Sequence, residues 1–246
     1  MFKDIFKNVF VITIERNIKR RAYIEHVLKG VDFLFYYGLD LTMNYLDCQY
    51  VHNIPDEVFA EYDLDKEYCS AWSKGQFGAF ATEKKVIKDF ALLNKNENLV
   101  VLLDDIVFEP NWQEHLIKGY KELPADWDVF ILSTRFGKEK KRLLRFIFRL
   151  KRRVDIYFKN KTITTVKKYS RYLDICPGNV NGVFGVIYSP KGLNKLLNEP
   201  NRLRKEQDDV LLSKLINEKY LKAFIAYPMI AREGEYDGSW TQKNEF

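Results

Sequence analysis

Two adjacent carboxylates, Asp104 and Asp105, follow the apolar run Leu99-Val-Val-Leu-Leu103 and precede Ile106-Val-Phe-Glu-Pro110. Neighbouring carboxylates repel, and each is costly to desolvate without a compensating partner. A divalent cation is one such partner, since hard cations take carboxylate oxygens together with substrate phosphates. The alternative is that both side chains point into water from a loop. Placement favours the cation. The run Leu99–Leu103, opened by the turn-prone Asn94-Lys-Asn-Glu-Asn98, has the pattern of a strand covered on both faces. In open α/β sheets ligands bind beyond the carboxyl ends of such strands.

The elements that must position this pair are legible along the chain. Val9 to Ile14 is a β-branched stretch that predicts a first buried strand. The polar run Glu15 to Arg21 follows, then a helix through Tyr23, Ile24, Val27 and Leu28 that Gly30 stops. Phe33 to Tyr37 predicts a second strand and completes a β-α-β unit. Arg16, Lys19, Arg20 and Arg21 form either a solvated helix start or a group that meets a nucleotide phosphate or base. Cations at a helix N-terminus oppose the macrodipole, so an anion is expected nearby. Residues 41–74 have weak periodicity and predict loops with short helices. Gly75 to Leu93 predicts a helix leading into the Leu99 strand. Pro110 is expected in the first turn of a helix with the stripe Trp112, Leu116, Tyr120 and Leu123. Trp127 to Leu132 then predicts the next strand, in a right-handed crossover.

The second half is less regular. Lys138 to Arg153, placed on a helix, gathers Lys141, Arg142, Arg145, Arg149, Arg152 and Arg153 on one side and Leu143, Leu144, Phe146, Ile147, Phe148 and Leu150 on the other. Such a basic amphipathic helix suits an anionic membrane surface, or it packs on the core with a basic outer face. Nucleic acid ranks below both, because no nucleic-acid module surrounds it. Residues 155–175 predict a hairpin or flap. The glycine-bounded Gly178-Asn-Val-Asn-Gly182 lets backbone approach a ligand. Val183 to Tyr188 predicts a strand, with Ser189-Pro190 starting a helix. Gln207-Asp-Asp209 precedes another helix, with Asp208 a natural N-cap. Ala223 to Ile230 predicts a last strand, and Arg232 to Phe246 a polar tail.

Composition bounds the reading. At 246 residues the chain suits one α/β domain, taken as 1–246. The net charge of +6 points to an anionic partner. The three cysteines, Cys48, Cys69 and Cys176, are too scattered for a disulfide framework or a zinc site, which favours a reducing compartment such as the cytoplasm. No secretory leader or membrane-spanning run is visible.

Taken together, these pieces resemble glycosyltransferase family 25, which includes bacterial lipooligosaccharide galactosyltransferases and collagen galactosyltransferase domains. Val11-Ile-Thr-Ile-Glu-Arg16 with Arg20 resembles the family's first strand and following arginine, and Gly78-Ala-Phe-Ala-Thr-Glu83 stands at its Gly-Cys-x-x-Ser-His segment. Leu103-Asp-Asp105 stands at its Glu-Asp-Asp motif. Asn181 to Gly192 is similar to its Gly-x-x-x-Tyr-x-x-Ser-x-x-Gly strand and turn, and Gln207-Asp-Asp209 matches a downstream acidic motif. Glu83 and Leu103 depart from the family pattern, which has histidine and glutamate there.

The resemblance implies an α/β nucleotide-sugar-binding fold of the GT-A type, a mostly parallel central sheet flanked by helices. It further implies transfer of a hexose, such as galactose, with inversion, from a nucleotide sugar such as a UDP-hexose to a lipid-linked or lipopolysaccharide-type oligosaccharide. Thr13, Glu15, Arg16, Arg20, Asp104, Asn181 and Gly182 are the expected donor contacts. Asp104 and Asp105 are the expected holders of a divalent metal, manganese or magnesium, which would stabilise the departing diphosphate as a Lewis acid. Inversion needs a base, for which Asp208 or Asp209 is the expected residue. The expected site of action is the cytoplasmic face of a membrane, reached through 138–153. A metal-dependent nucleotidyl- or phosphotransferase, or an inactive carbohydrate- or membrane-binding relative, would use the same features.

Overall fold

The computed structural model describes residues 2–41, 51–69, 73–93, 96–134, 167–178, 180, 182–206 and 208–234, with the side chains at 52, 134, 208 and 209 outside that description. The basic segment 138–153 lies outside the described residues. Described strands are β1 (Val9–Thr13), β2 (Phe33–Tyr37), β3 (Leu99–Leu103), β4 (Ile106–Phe108), β5 (Val129–Thr134), β6 (Lys167–Lys168), β7 (Leu173–Ile175), β8 (Val183–Tyr188), β9 (Ala223–Ala226) and β10 (Ala231–Glu233). The described α-helices are α1 (Phe2–Ile5), α2 (Ile18–Val27), α3 (Asp56–Glu61), α4 (Lys66–Cys69), α5 (Lys74–Leu93), α6 (Trp112–Lys121), α7 (Pro190–Leu197), α8 (Pro200–Leu203) and α9 (Asp208–Asn217).

Eight strands form one sheet in the order β2-β1-β3-β8-β5-β9-β7-β6, and β10 pairs with β4 separately. Strands β2, β1, β3, β5 and β9 run in one direction, while β8 and β7 are reversed between their neighbours. The expected class is therefore found: a mostly parallel central sheet with helices on both faces. β3 sits between β1 and β8, so its C-terminal end, where Asp104 follows, opens beside the C-terminal end of β1.

Alternation along β3 assigns the two faces. Leu99 and Val101 pack with Val86, Ile87 and Phe90 of α5, Leu193 and Leu196 of α7, and Leu211 and Leu215 of α9. Val100 and Leu102 pack with Ile24 of α2, Trp112 and Leu116 of α6, and Phe6 just beyond α1. A third cluster joins Phe77, Phe80 and Ala81 of α5 to Val58 and Phe59 of α3 and to Ile54 and Leu64. The long helix α5 thus belongs to two cores, and its burial on several sides explains why its sequence is apolar on more than one stripe.

Three local expectations change. Pro110 lies before the N-cap of α6 rather than in its first turn, because Asn111 takes a left-handed φ of 60° and starts the helix at Trp112. The last strand stops at Ala226, since Pro228 has no N–H for a ladder; the chain turns and re-pairs as β10 on β4. Part of the expected polar tail is therefore strand. By contrast, Ser189 is the N-cap as expected, its Oγ accepting from the Gly192 N–H at 3.0 Å with Pro190 following. Gly192 presses on the backbone of Asp128, where a Cβ would come within 2.2 Å of the carbonyl oxygen. Gly192→Ala should therefore lower stability by about 1–3 kcal/mol, read as a reduced urea midpoint at unchanged slope.

Candidate active site

At the exit of β3, the Asp104 carboxylate is buried and held by three donors from the last residue of β1 and the segment after it. Thr13 Oγ1 donates to Oδ2 at 2.6 Å, Asn17 Nδ2 to the same oxygen at 2.8 Å, and Arg20 Nη1 to Oδ1 at 2.8 Å. The Asp104 N–H also reaches the Ile12 carbonyl at 3.0 Å, which continues the β1–β3 ladder. The ion pair with Arg20 is largely withdrawn from water, with the side chains 16% and 7% exposed. A buried carboxylate is tolerated here because both oxygens are satisfied and one partner is cationic.

The anion that the basic run required is now identified on the protein itself. Arg20 meets Asp104, and Arg16 Nε meets Asp40 at 2.8 Å. Asp40 follows β2 in a segment anchored by the Gly38 N–H on the Thr13 carbonyl at 2.7 Å. Arg21 donates Nη1 to the Ile14 and Glu15 carbonyls at 2.7 and 2.8 Å, and so fixes the turn that presents Glu15, Arg16 and Asn17.

Asp105 is different. Its Oδ1 is buried and lacks a hydrogen-bond partner in the structure. Burial pushes its carboxyl up to about 6 against the pull of Arg20, with the neighbouring Asp104 and Glu233 adding to the rise. Glu233 is brought there by β10, which pairs with β4 and lets the Gly234 N–H bond the Asp105 carbonyl at 2.7 Å. An orphaned, desolvated carboxylate oxygen beside further carboxylates fits a cation partner. With the Asp104 oxygens already accepting from Thr13, Asn17 and Arg20, the pair would reach such an ion through Asp105. Among the described residues no cage of three or more His, Cys, Asp or Glu side chains forms. A cation here would draw on substrate phosphates for its remaining ligands.

Thr13, Arg20 and Asp104 thus meet directly, while Arg16 pairs with Asp40 instead and Glu15 is exposed. Gly182 has φ +60° and leads into β8, whose first residue Val183 pairs with Thr134 at the same end of the sheet. Asn181 lies outside the described residues. Asp208 and Asp209 are the first residues of α9. The chain before β8 runs along that helix: Asn217 Nδ2 bonds the Gly178 carbonyl, and Ser213 Oγ exchanges bonds with Val180. Moving from Gly178 toward Gly182 therefore moves toward the N-terminal end of α9.

A model of glycosyltransferase family 25 (LPS biosynthesis protein) matches residues 6–212. The chain belongs to glycosyltransferase family 25. Among solved structures, the crystal structure of mouse Xyloside xylosyltransferase 1 in its apo form is similar over 87% of this chain and 70% of its own, at 12% identity and a TM-score of 0.35. None of the curated proteins compared with the sequence matches it.

The two departures from the family pattern have places in the structure. Glu83 is buried on α5 and accepts from the Tyr188 hydroxyl at 3.1 Å. Tyr188 pairs with Leu99, at the end of β3 remote from Asp104. Leu103 is the last residue of β3, half-buried between the two main cores. Three members of the site escaped the sequence reading. Asn17 had a signal, because Thr13, Asn17 and Arg20 are spaced four and three apart. Asp40 and Glu233 had none, since a loop ion pair and a β10–β4 pairing across more than a hundred residues leave no local pattern.

Proposed function

We propose that this family member transfers a hexose from a UDP-sugar to a lipid-linked or lipopolysaccharide-type oligosaccharide, with inversion at the anomeric carbon. One observation carries the reading: Thr13, Asn17 and Arg20 engage both oxygens of Asp104, while the adjacent Asp105 keeps a buried, unpartnered oxygen at the carboxyl end of a central strand. Asp105 is the residue to hold a manganese or magnesium ion, which when bound would supply Lewis-acid stabilisation of the departing diphosphate. Asp104 acts as a positioning residue that aligns Arg20 and the turn carrying Arg16. In the transfer, the acceptor oxygen bonds the anomeric carbon while the bond to the diphosphate breaks and its electron pair leaves with UDP. Asp208 or Asp209 takes the proton of the acceptor hydroxyl. The basic segment 138–153 supports, from sequence, a place on the anionic cytoplasmic face of a membrane.

Thermal unfolding of the whole chain with UDP-hexoses, with and without manganese, tests this. A UDP-sugar present at a hundred times its Kd should add about 2.7 kcal/mol of stability, and the added stability should depend on the metal. Stabilisation by nucleoside triphosphates but by no nucleotide sugar would move the site to nucleotidyl or phosphoryl transfer.

A further inference from the structure

The two edges of the eight-stranded sheet are built differently. At one end stands β6, two exposed lysines, Lys167 and Lys168. Lysine on an edge strand deters another strand from adding there. At the other end, β2 reads Phe33-Leu-Phe-Tyr-Tyr37 without a charge or a proline, and no described strand pairs beyond it. The Gly38 N–H bonds the Thr13 carbonyl on β1, so by strand alternation Leu34 and Tyr36 also bond inward. The N–H and C=O groups of Phe33, Phe35 and Tyr37 then point away from the sheet. Beside this open edge stand two large exposed side chains, Leu34 at 63% and Tyr37 at 53%.

We infer that β2 is the pairing edge for a second copy of this chain, joined antiparallel about a two-fold axis at Phe35. The strand is complementary to itself in that register. Phe35 meets its own copy and Phe33 meets Tyr37, so every outward-pointing residue faces another outward-pointing residue and exchanges both backbone bonds with it. Leu34 falls opposite Tyr36, an aliphatic–aromatic cross-strand pair. Charge agrees with the same axis. The exposed Asp32 precedes β2 at one end, and Arg21 stacks over the Tyr37 ring at 5.5 Å at the other. Antiparallel pairing brings the acidic end of one copy to the basic end of its mate, as an isologous interface requires. A parallel addition would set like ends together.

Both Leu34 and Tyr37 project into solvent, so changing them leaves the core intact. Sedimentation equilibrium of the full chain over about 1–100 µM should show a mass rising toward twice 29.2 kDa, because association follows concentration. The double variant Leu34→Lys with Tyr37→Lys should stay at 29.2 kDa with unchanged circular dichroism. Leu34→Lys alone should weaken association by about tenfold or more, through like charges near the axis and the loss of an apolar pair. Lys167→Glu, on the other edge, should associate as the parent does. A parent chain that remains at 29.2 kDa throughout, or a folded Leu34→Lys variant that associates as tightly as the parent, overturns the inference.

Discussion

Arg20→Met should cost about 3–5 kcal/mol of folding stability, because it leaves the Asp104 charge buried without its cation. The two remaining donors, Thr13 Oγ1 at 2.6 Å and Asn17 Nδ2 at 2.8 Å, hold only Oδ2, so Oδ1 loses the hydrogen bond from Arg20. Urea titration gives the number directly, and a second substitution separates its causes. Asp104→Asn removes the charge that Arg20 balances. In the Arg20→Met background it should recover a large part of the loss, and the two changes together should cost less than their sum. Additive losses would mean that Arg20 acts through contacts other than the ion pair.

Asp105→Asn should move activity and stability in opposite directions. Transfer should fall about 10²–10³-fold, the range expected when a group that stabilises developing charge is lost. Stability in the presence of a chelator should rise, because Asp105 is pushed up to about 6 from an ordinary value of 3.8. The sign follows from linkage. Below pH 3.8 the carboxyl is protonated in both states and carries no penalty. As pH climbs to about 6 the unfolded chain ionises first, and the native state loses about 3 kcal/mol relative to it. The wild-type chain should therefore weaken across that interval through this group, and Asp105→Asn should lack that component. Manganese should restore the loss in the wild type and leave the variant unchanged. If the variant gains no stability above pH 6, the carboxyl is not desolvated and the site loses its cation-binding rationale.

These two residues also explain how an unsatisfied oxygen can persist. Asp105 is bracketed by a strand whose ladder extends through the Asp104 N–H to Ile12 and by a Gly234 N–H on its own carbonyl. The backbone on both sides is fixed, so the side chain cannot easily turn away to water. Functional sites commonly retain such costs, which the surrounding fold over-determines.

Much of this site was legible without coordinates. The five-residue apolar run ending at Leu103 is a strand, and its termination at two aspartates marks the carboxyl edge of the sheet, because a doubly covered strand leaves no polar residue inside. Val183 to Tyr188 is a strand for the same reason, Val9 to Thr13 and Phe33 to Tyr37 are strands because β-branched and aromatic residues favour extended backbone, and Ser189-Pro190 starts a helix because capping is a local property of three or four residues. The basic run after β1 also announced its need for an anion, since charge at a helix N-terminus is a local electrostatic problem. What sequence could not contain was the identity of that anion. Asp104 is 84 residues from Arg20, and only the parallel β1–β3 pairing brings them to 2.8 Å. The same holds for Glu233, which reads as tail until β10 closes on β4. The division of labour within the Asp104–Asp105 pair belongs to tertiary structure as well. The two side chains are chemically identical in sequence, and the fold gives one three donors and leaves an oxygen of the other bare, because both sit in the turn between β3 and β4 and that turn brings Asp104, not Asp105, into hydrogen-bond reach of Thr13, Asn17 and Arg20.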